Sequence, residues 1–162
     1  MRLKVEELRS YDGRHREVTV TGPLTLLRLC GRTAAGAANN RYGRFWFNSN
    51  FFWRMVDVLG DRASNVAELN HYPRYSLREY TTVCYDWNTF ASIYELRVPT
   101  GKKVAAVVGR VAPQPFDSRP GRALPHEVPV GGEFQYVLDV EGQGLRPFVV
   151  GPRPPVVLRG NA

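Results

Sequence analysis

The chain has 162 residues, of which 43% are hydrophobic and 23% charged. That suits one folded domain with a real core and excludes a disordered or fibrous chain. The formal charge is +7 and the pI about 9.8. Arginine supplies most of it, because lysine occurs only at Lys4, Lys102 and Lys103. Arginine suits bidentate phosphate contacts and aromatic stacking, so an anionic partner is favoured. The plainer reading is an arginine-rich surface that serves solubility alone. The two cysteines, Cys30 and Cys84, lie in apolar segments with no CxxC or Cys/His spacing, which argues against zinc and for buried thiols. No apolar leader opens the chain and no 18-residue apolar run crosses it. A Sec-type signal and a membrane span are therefore not expected, and other export routes stay open.

In chain order, "EVTVTG" alternates and reads as a strand ended by Gly22-Pro23. "LTLLRLCG" follows, a short apolar strand stopped by Gly31, with Arg28 its one charge. Residues 32–43 are small, polar and glycine-bearing, which predicts a loop. "FWFNSNFFW" then places six aromatics in nine residues. A helix is expected from Asn48 or Ser49 as cap to Gly60, with Phe52, Met55, Val56 and Leu59 on one face. A further turn of helix before Pro73 and a helix capped by Ser76 and Glu79 are also expected. "SIYELRVP" and "KVAAVVGRV" read as strands joined at Thr100-Gly101, a candidate hairpin. Residues 112–132 form a long proline-rich loop, a length that points to function rather than connection. In "EFQYVLDV" the period of two sets Phe134, Tyr136 and Leu138 on one face and Glu133, Gln135, Val137 and Asp139 on the other. The tail after Arg146 offers an edge strand or two, weakened by Pro154-Pro155. The expected class is α+β, with a mixed or antiparallel split sheet and a few helices, in a single domain over 1–162.

Three features carry candidate chemistry. Arg28 in an apolar strand is costly unless it is paired or holds an anion. The aromatics from Tyr42 to Phe47 either pack the core or wall a flat ligand. Glu133 and Gln135 share one side of a strand after a Gly-Gly bend, where they either face solvent or hold ribose hydroxyls. His15, His71 and His126 carry no Ser-His-Asp signature, and P-loop, GxGxxG and GxSxG motifs are absent.

These pieces occur in a telling order: "LLRLCG", "YGRFWF", "DWN", "LRVPTGKKV", "VGRVAPQP" and "VPVGGEFQYVL". The set resembles the mono-ADP-ribosyltransferase toxin domains of bacterial polymorphic toxins, over about residues 24–140. The resemblance implies an ADP-ribosyltransferase-like core at about 16–150 and NAD as substrate, with no metal. It implies transfer of ADP-ribose to a macromolecule, RNA or protein, or plain NAD hydrolysis at the same site. Arg28 would grip the NAD pyrophosphate or nicotinamide ribose. Leu29, Gly31, Tyr42, Phe45, Trp46 and Ser49 would complete the NAD-binding set. Gln135 falls where such enzymes place the catalytic glutamate, with Glu133 two residues earlier. The order Glu-x-Gln departs from the usual Glu-x-Glu or Gln-x-Glu, so either residue can hold the role, and an inactive relative fits too. Val111 also stands where alanine is commoner. An effector of this kind would act in the cytoplasm of a target cell after non-Sec delivery, in competition between bacteria. It would have a cognate immunity protein as partner and no membrane partner. Two competing readings remain. One is a basic nucleic-acid-binding module without catalysis. The other is a metal-independent ribonuclease toxin using His71 or His126.

Overall fold

The computed structural model describes residues 3–30, 41–50, 92–113 and 134–153. A short helix, α1 (Val5–Arg9), precedes seven strands: β1 (Tyr11–Thr21), β2 (Leu24–Cys30), β3 (Phe45–Asn48), β4 (Ser92–Val98), β5 (Lys103–Val111), β6 (Phe134–Val137) and β7 (Val149–Arg153). They form one sheet in the order β1-β5-β6-β3-β2-β4-β7. Every pairing is antiparallel. This corrects the expected α+β class with a mixed or split sheet. The described residues are mainly β, and their helix is limited to α1, one 3-10 turn (Arg146–Phe148) and the helical pair Ser49–Asn50. The helices expected beyond Asn50 lie outside the described residues. The physical reason for the single sheet is β3 pairing to β6, which joins the two groups of strands that the sequence leaves separate.

Connection lengths then dictate the shape. β1 and β2 stand four places apart in the sheet, about 19 Å at about 4.8 Å per strand spacing. Only Gly22 and Pro23 link them, and three residue steps reach about 11 Å at most. The sheet must therefore bend over on itself. The link from β4 to β5 makes the same demand. The two links cross in contact: the Gly22 amide donates to the Lys102 carbonyl (2.9 Å) and the Gly101 amide to the Gly22 carbonyl (3.1 Å). Gly101 holds φ at 78° in the turn that the sequence marks at Thr100-Gly101. That turn does not close a hairpin, because β4 pairs with β2 and β7 while β5 pairs with β1 and β6.

Bending encloses one face. The main core collects Leu26, Cys30, Trp46, Tyr94, Leu96 and Val98 from one half with Val104, Ala106, Leu138 and Val140 from the other. Val18 and Val20 of β1 pack against it. The opposite, outer face carries a smaller cluster of Tyr11, Val107 and Val137, flanked by Leu3 and Phe45. Tyr11 reaches that cluster because Gly109 has no side chain: a Cβ there would lie 2.5 Å from the Tyr11 ring. Beyond β6 the chain turns away at Asp139, and the Gln143 side chain takes over the Ala105 amide (2.7 Å) and carbonyl (2.8 Å).

The crossing is the point where substitution tells most. A Cβ at Gly22 would meet the Pro99 carbonyl oxygen at 1.9 Å, backbone that has no free rotor to move. Gly22→Ala should cost about 1–3 kcal/mol through overpacking, read as a lower urea midpoint. An unchanged midpoint would mean that the crossing is not tight.

Candidate functional site

Arg28 lies on the enclosed face of β2, opposite Tyr94 of β4. By the same period Trp46 of β3 and Tyr136 of β6 share that face and are paired with each other. The Arg28 guanidinium is held closely. Its Nη1 donates to the Phe45 carbonyl at 2.7 Å. Its side chain also meets the Cys30 thiol. Gly43 makes this possible, since a Cβ there would lie 2.2 Å from the guanidinium. The Gly43 carbonyl in turn accepts from Trp46 Nε1 at 2.8 Å. The "GRFW" element and the arginine of β2 are thus one interlocked unit.

The electrostatics follow from burial. Burial lowers the Arg28 pKa, and the neighbouring Cys30 partly offsets this. Burial raises the Cys30 thiol, with Arg28 opposing it. Burial likewise raises Tyr94, aided by Cys30. Two further arginines stand nearby. The Arg41 guanidinium lies 5.2 Å from the Tyr42 ring centroid and 5.8 Å from that of Tyr94. The Arg146 guanidinium lies 4.4 Å from the centroid of the same Tyr42 ring and ion-pairs with Glu141 at 2.9 Å. Two guanidinium groups thus stand over the tyrosine rings beside the Arg28 strand.

Gln135 behaves differently. It lies on the outer face, in the row of Phe47 and Gly109. It is 3% exposed, and its Nε2 donates to the Ser10 hydroxyl and, at 3.4 Å, to the Ser10 carbonyl. Ser10 is the C-cap of α1. Buried Glu7 of α1 binds Arg44 at 2.6 Å and accepts from the Lys4 amide at 2.7 Å. Gln135 is therefore covered by α1 and its cap. Arg28 and Gln135 sit one strand of separation apart, on β2 and β6 either side of β3, but on opposite faces.

The remaining expected residues divide accordingly. Trp46 is fully enclosed in the core and Tyr42 packs partly against it. Phe45 and Leu29 take the outer face by alternation, and Phe47, also outer, is 8% exposed. Ser49 opens a helical turn after Asn48, whose Oδ1 accepts from the Asn50 amide at 2.8 Å. Gly31, Glu133, His71, His126 and the loop after Pro113 lie outside the described residues. His15 is exposed and its ring stacks on Tyr11, centroids 5.2 Å apart. Sequence reasoning missed Tyr94 as the partner opposite Arg28, and Arg41 and Arg146 as the cations over Tyr94 and Tyr42. Their only sequence signal is the general wealth of arginine, because β4 meets β2 across more than sixty intervening positions. Among the described residues no group of three or more His, Cys, Asp or Glu is placed to hold a metal, and no helix is long and apolar enough to cross a membrane.

The raised Cys30 thiol has a pH consequence. The neutral thiol's stabilising share is complete below the ordinary value of 9.0 and is lost as pH rises from there through the higher folded value. The urea midpoint should fall above pH 9.0, and Cys30→Ala should flatten that fall. An identical slope in the variant would show that Cys30 does not take part.

No protein-family profile matches the chain, and no curated protein matches it. Among solved structures the chain is similar to Rhs1-CT, determined in complex with its cognate immunity protein RhsI1. The TM-score is 0.47 at 13% identity, over 88% of this chain and 83% of that one.

Proposed function

We propose that the chain is an NAD-dependent ADP-ribosyltransferase of the toxin or effector type, acting on a macromolecular acceptor. The observation that carries this reading is the contact between Arg28 and the "GRFW" element. Two motifs that the sequence resemblance names separately are bonded to each other, on neighbouring strands, with β6 next in line. The arginines and tyrosines around them supply charge for a pyrophosphate and ring faces for a base or nicotinamide.

In the proposed reaction the bond between nicotinamide nitrogen and ribose C1′ breaks, and its electron pair leaves with nicotinamide. The ribose becomes oxocarbenium-like. A nucleophile on the acceptor bonds to C1′ and gives up its proton. Arg28 grips the anionic diphosphate and keeps the ribose in place. Preorganised groups of this kind act without reorganising at the moment of reaction. Gln135 takes a positioning role in this reading: its bond to Ser10 fixes β6 beneath α1 rather than reaching the ribose. The resemblance offers Glu133, which lies outside the described residues, as the candidate carboxylate. An effector of this kind would be held silent in its producer by a cognate immunity protein.

The test is nicotinamide release and transfer of label from NAD to lysate macromolecules. Arg28→Lys should lower turnover by about 10²-fold, as loss of one preorganised donor does. Gly43→Ala pushes the buried Arg28 guanidinium off its partners, so it should lower turnover and the urea midpoint together. Ser10→Ala and Gln135→Ala both lose the bond from the Gln135 amide to the Ser10 hydroxyl, so both should lower turnover to a similar, modest extent. A Gln135→Ala loss far beyond that of Ser10→Ala would make Gln135 catalytic. Absence of any nicotinamide release would overturn the enzyme reading.

A further inference from the structure

The arginines around the Tyr42 and Tyr94 rings differ in what they meet. Arg28 bonds to the Phe45 carbonyl and meets Cys30, Arg44 pairs with buried Glu7, and Arg146 pairs with Glu141. Arg41 is half-buried, yet it pairs with no carboxylate among the described residues. Its Nε is enclosed without a bonding partner, and its Nη2 reaches the Val149 carbonyl only at 3.5 Å. A guanidinium is always charged and carries five N–H donors. Enclosing one with so few partners is costly, and an incoming anion relieves that cost. The Arg41 and Arg146 guanidinium groups lie 5.2 Å and 4.4 Å from the same Tyr42 centroid, so two cations share one ring. The Arg146–Glu141 pair beside them is open to solvent, with side chains 58% and 61% exposed. An ion pair so exposed is weak, and Arg146 is free to exchange Glu141 for a stronger anion.

We propose that Arg41 and Arg146 bind a phosphate group beside the Tyr42 ring, with Arg41 as the standing donor and Arg146 recruited from Glu141. Charge and oxygen count favour phosphate over a carboxylate. A phosphate offers more negative charge and a third acceptor oxygen, so it can meet two guanidinium forks at once. A carboxylate satisfies one fork, as Glu141 already does for Arg146. The inference rests on the transferase reading only in making this phosphate part of the NAD diphosphate. Binding itself is measured without turnover, so the two fail separately.

The experiment is titration calorimetry of the whole chain with inorganic phosphate, pyrophosphate, ADP and succinate. Each phosphate compound should bind more tightly than succinate. Pyrophosphate and ADP binding ahead of inorganic phosphate would mark a diphosphate as the ligand, and equal affinity would mark a single phosphate. Arg41→Lys keeps the charge but loses the fork, and should weaken pyrophosphate about 10- to 100-fold, the range for one charge-assisted bond. Arg146 is exposed, so Arg146→Gln serves as the second variant if Arg41→Lys does not fold, and it should also weaken binding. Glu141→Gln should tighten binding by releasing Arg146, and by more than Asp12→Asn, which makes the same charge change on exposed β1. Arg110→Gln, on β5, should leave affinity unchanged. Absence of phosphate binding, or succinate matching pyrophosphate, would overturn the proposal. So would an Arg110→Gln loss as large as that of Arg41→Lys, or wild-type affinity in both Arg41→Lys and Arg146→Gln.

Discussion

The crossing of two short connections governs this molecule. Gly22-Pro23 and the turn through Gly101 each join strands that a flat sheet would hold far apart, and they hydrogen-bond where they meet. Chain geometry leaves one outcome: the seven strands bend until a single face is enclosed. What lies on that face is then fixed by alternation. Leu26, Leu96, Val104 and Ala106 become core, and Arg28 enters the same space because it shares their parity.

A guanidinium in such a place needs partners, and the structure supplies them from the adjacent element. The Phe45 carbonyl and the Cys30 thiol meet its donors, and Gly43 clears the room. The surrounding Tyr42 and Tyr94 rings, themselves faced by Arg41 and Arg146, extend the charge outward. The cost of burying the cation is offset by bonding that also orients it. On the other side of the sheet, α1 performs a different task. Glu7 binds Arg44, and Ser10 receives Gln135, so the helix fastens β3 and β6 from outside.

Much of the strand content is legible in the sequence. The apolar run of β2 and the alternation of β6 read correctly, because burial on one face imposes a period of two. The Thr100-Gly101 turn is legible too, since a positive φ needs glycine. Its partners are not: a turn specifies a change of direction, and pairing across a folded sheet depends on contacts distant in sequence. The α+β reading drew its helices from segments after Asn50, whereas the described residues are built on one antiparallel sheet. Arg28 stands out as a charge in an apolar run. The opposite facing of Arg28 and Gln135 does not stand out, because it follows from the registers of β2 with β3 and β3 with β6. The choice between core and wall for Phe45–Phe47 is not a single one: alternation sends Trp46 inward and its two neighbours to the outer face.

The central claim is that Arg28, held by Gly43 and Phe45, is the grip of an NAD-cleaving site. The most direct measurement is nicotinamide release by the wild-type chain, Arg28→Lys and Gly43→Ala, each beside its urea midpoint. The account predicts turnover in the wild type and a large loss in both variants, each still folded without urea. Full turnover in a well-folded Arg28→Lys, or none in the wild type, would contradict it.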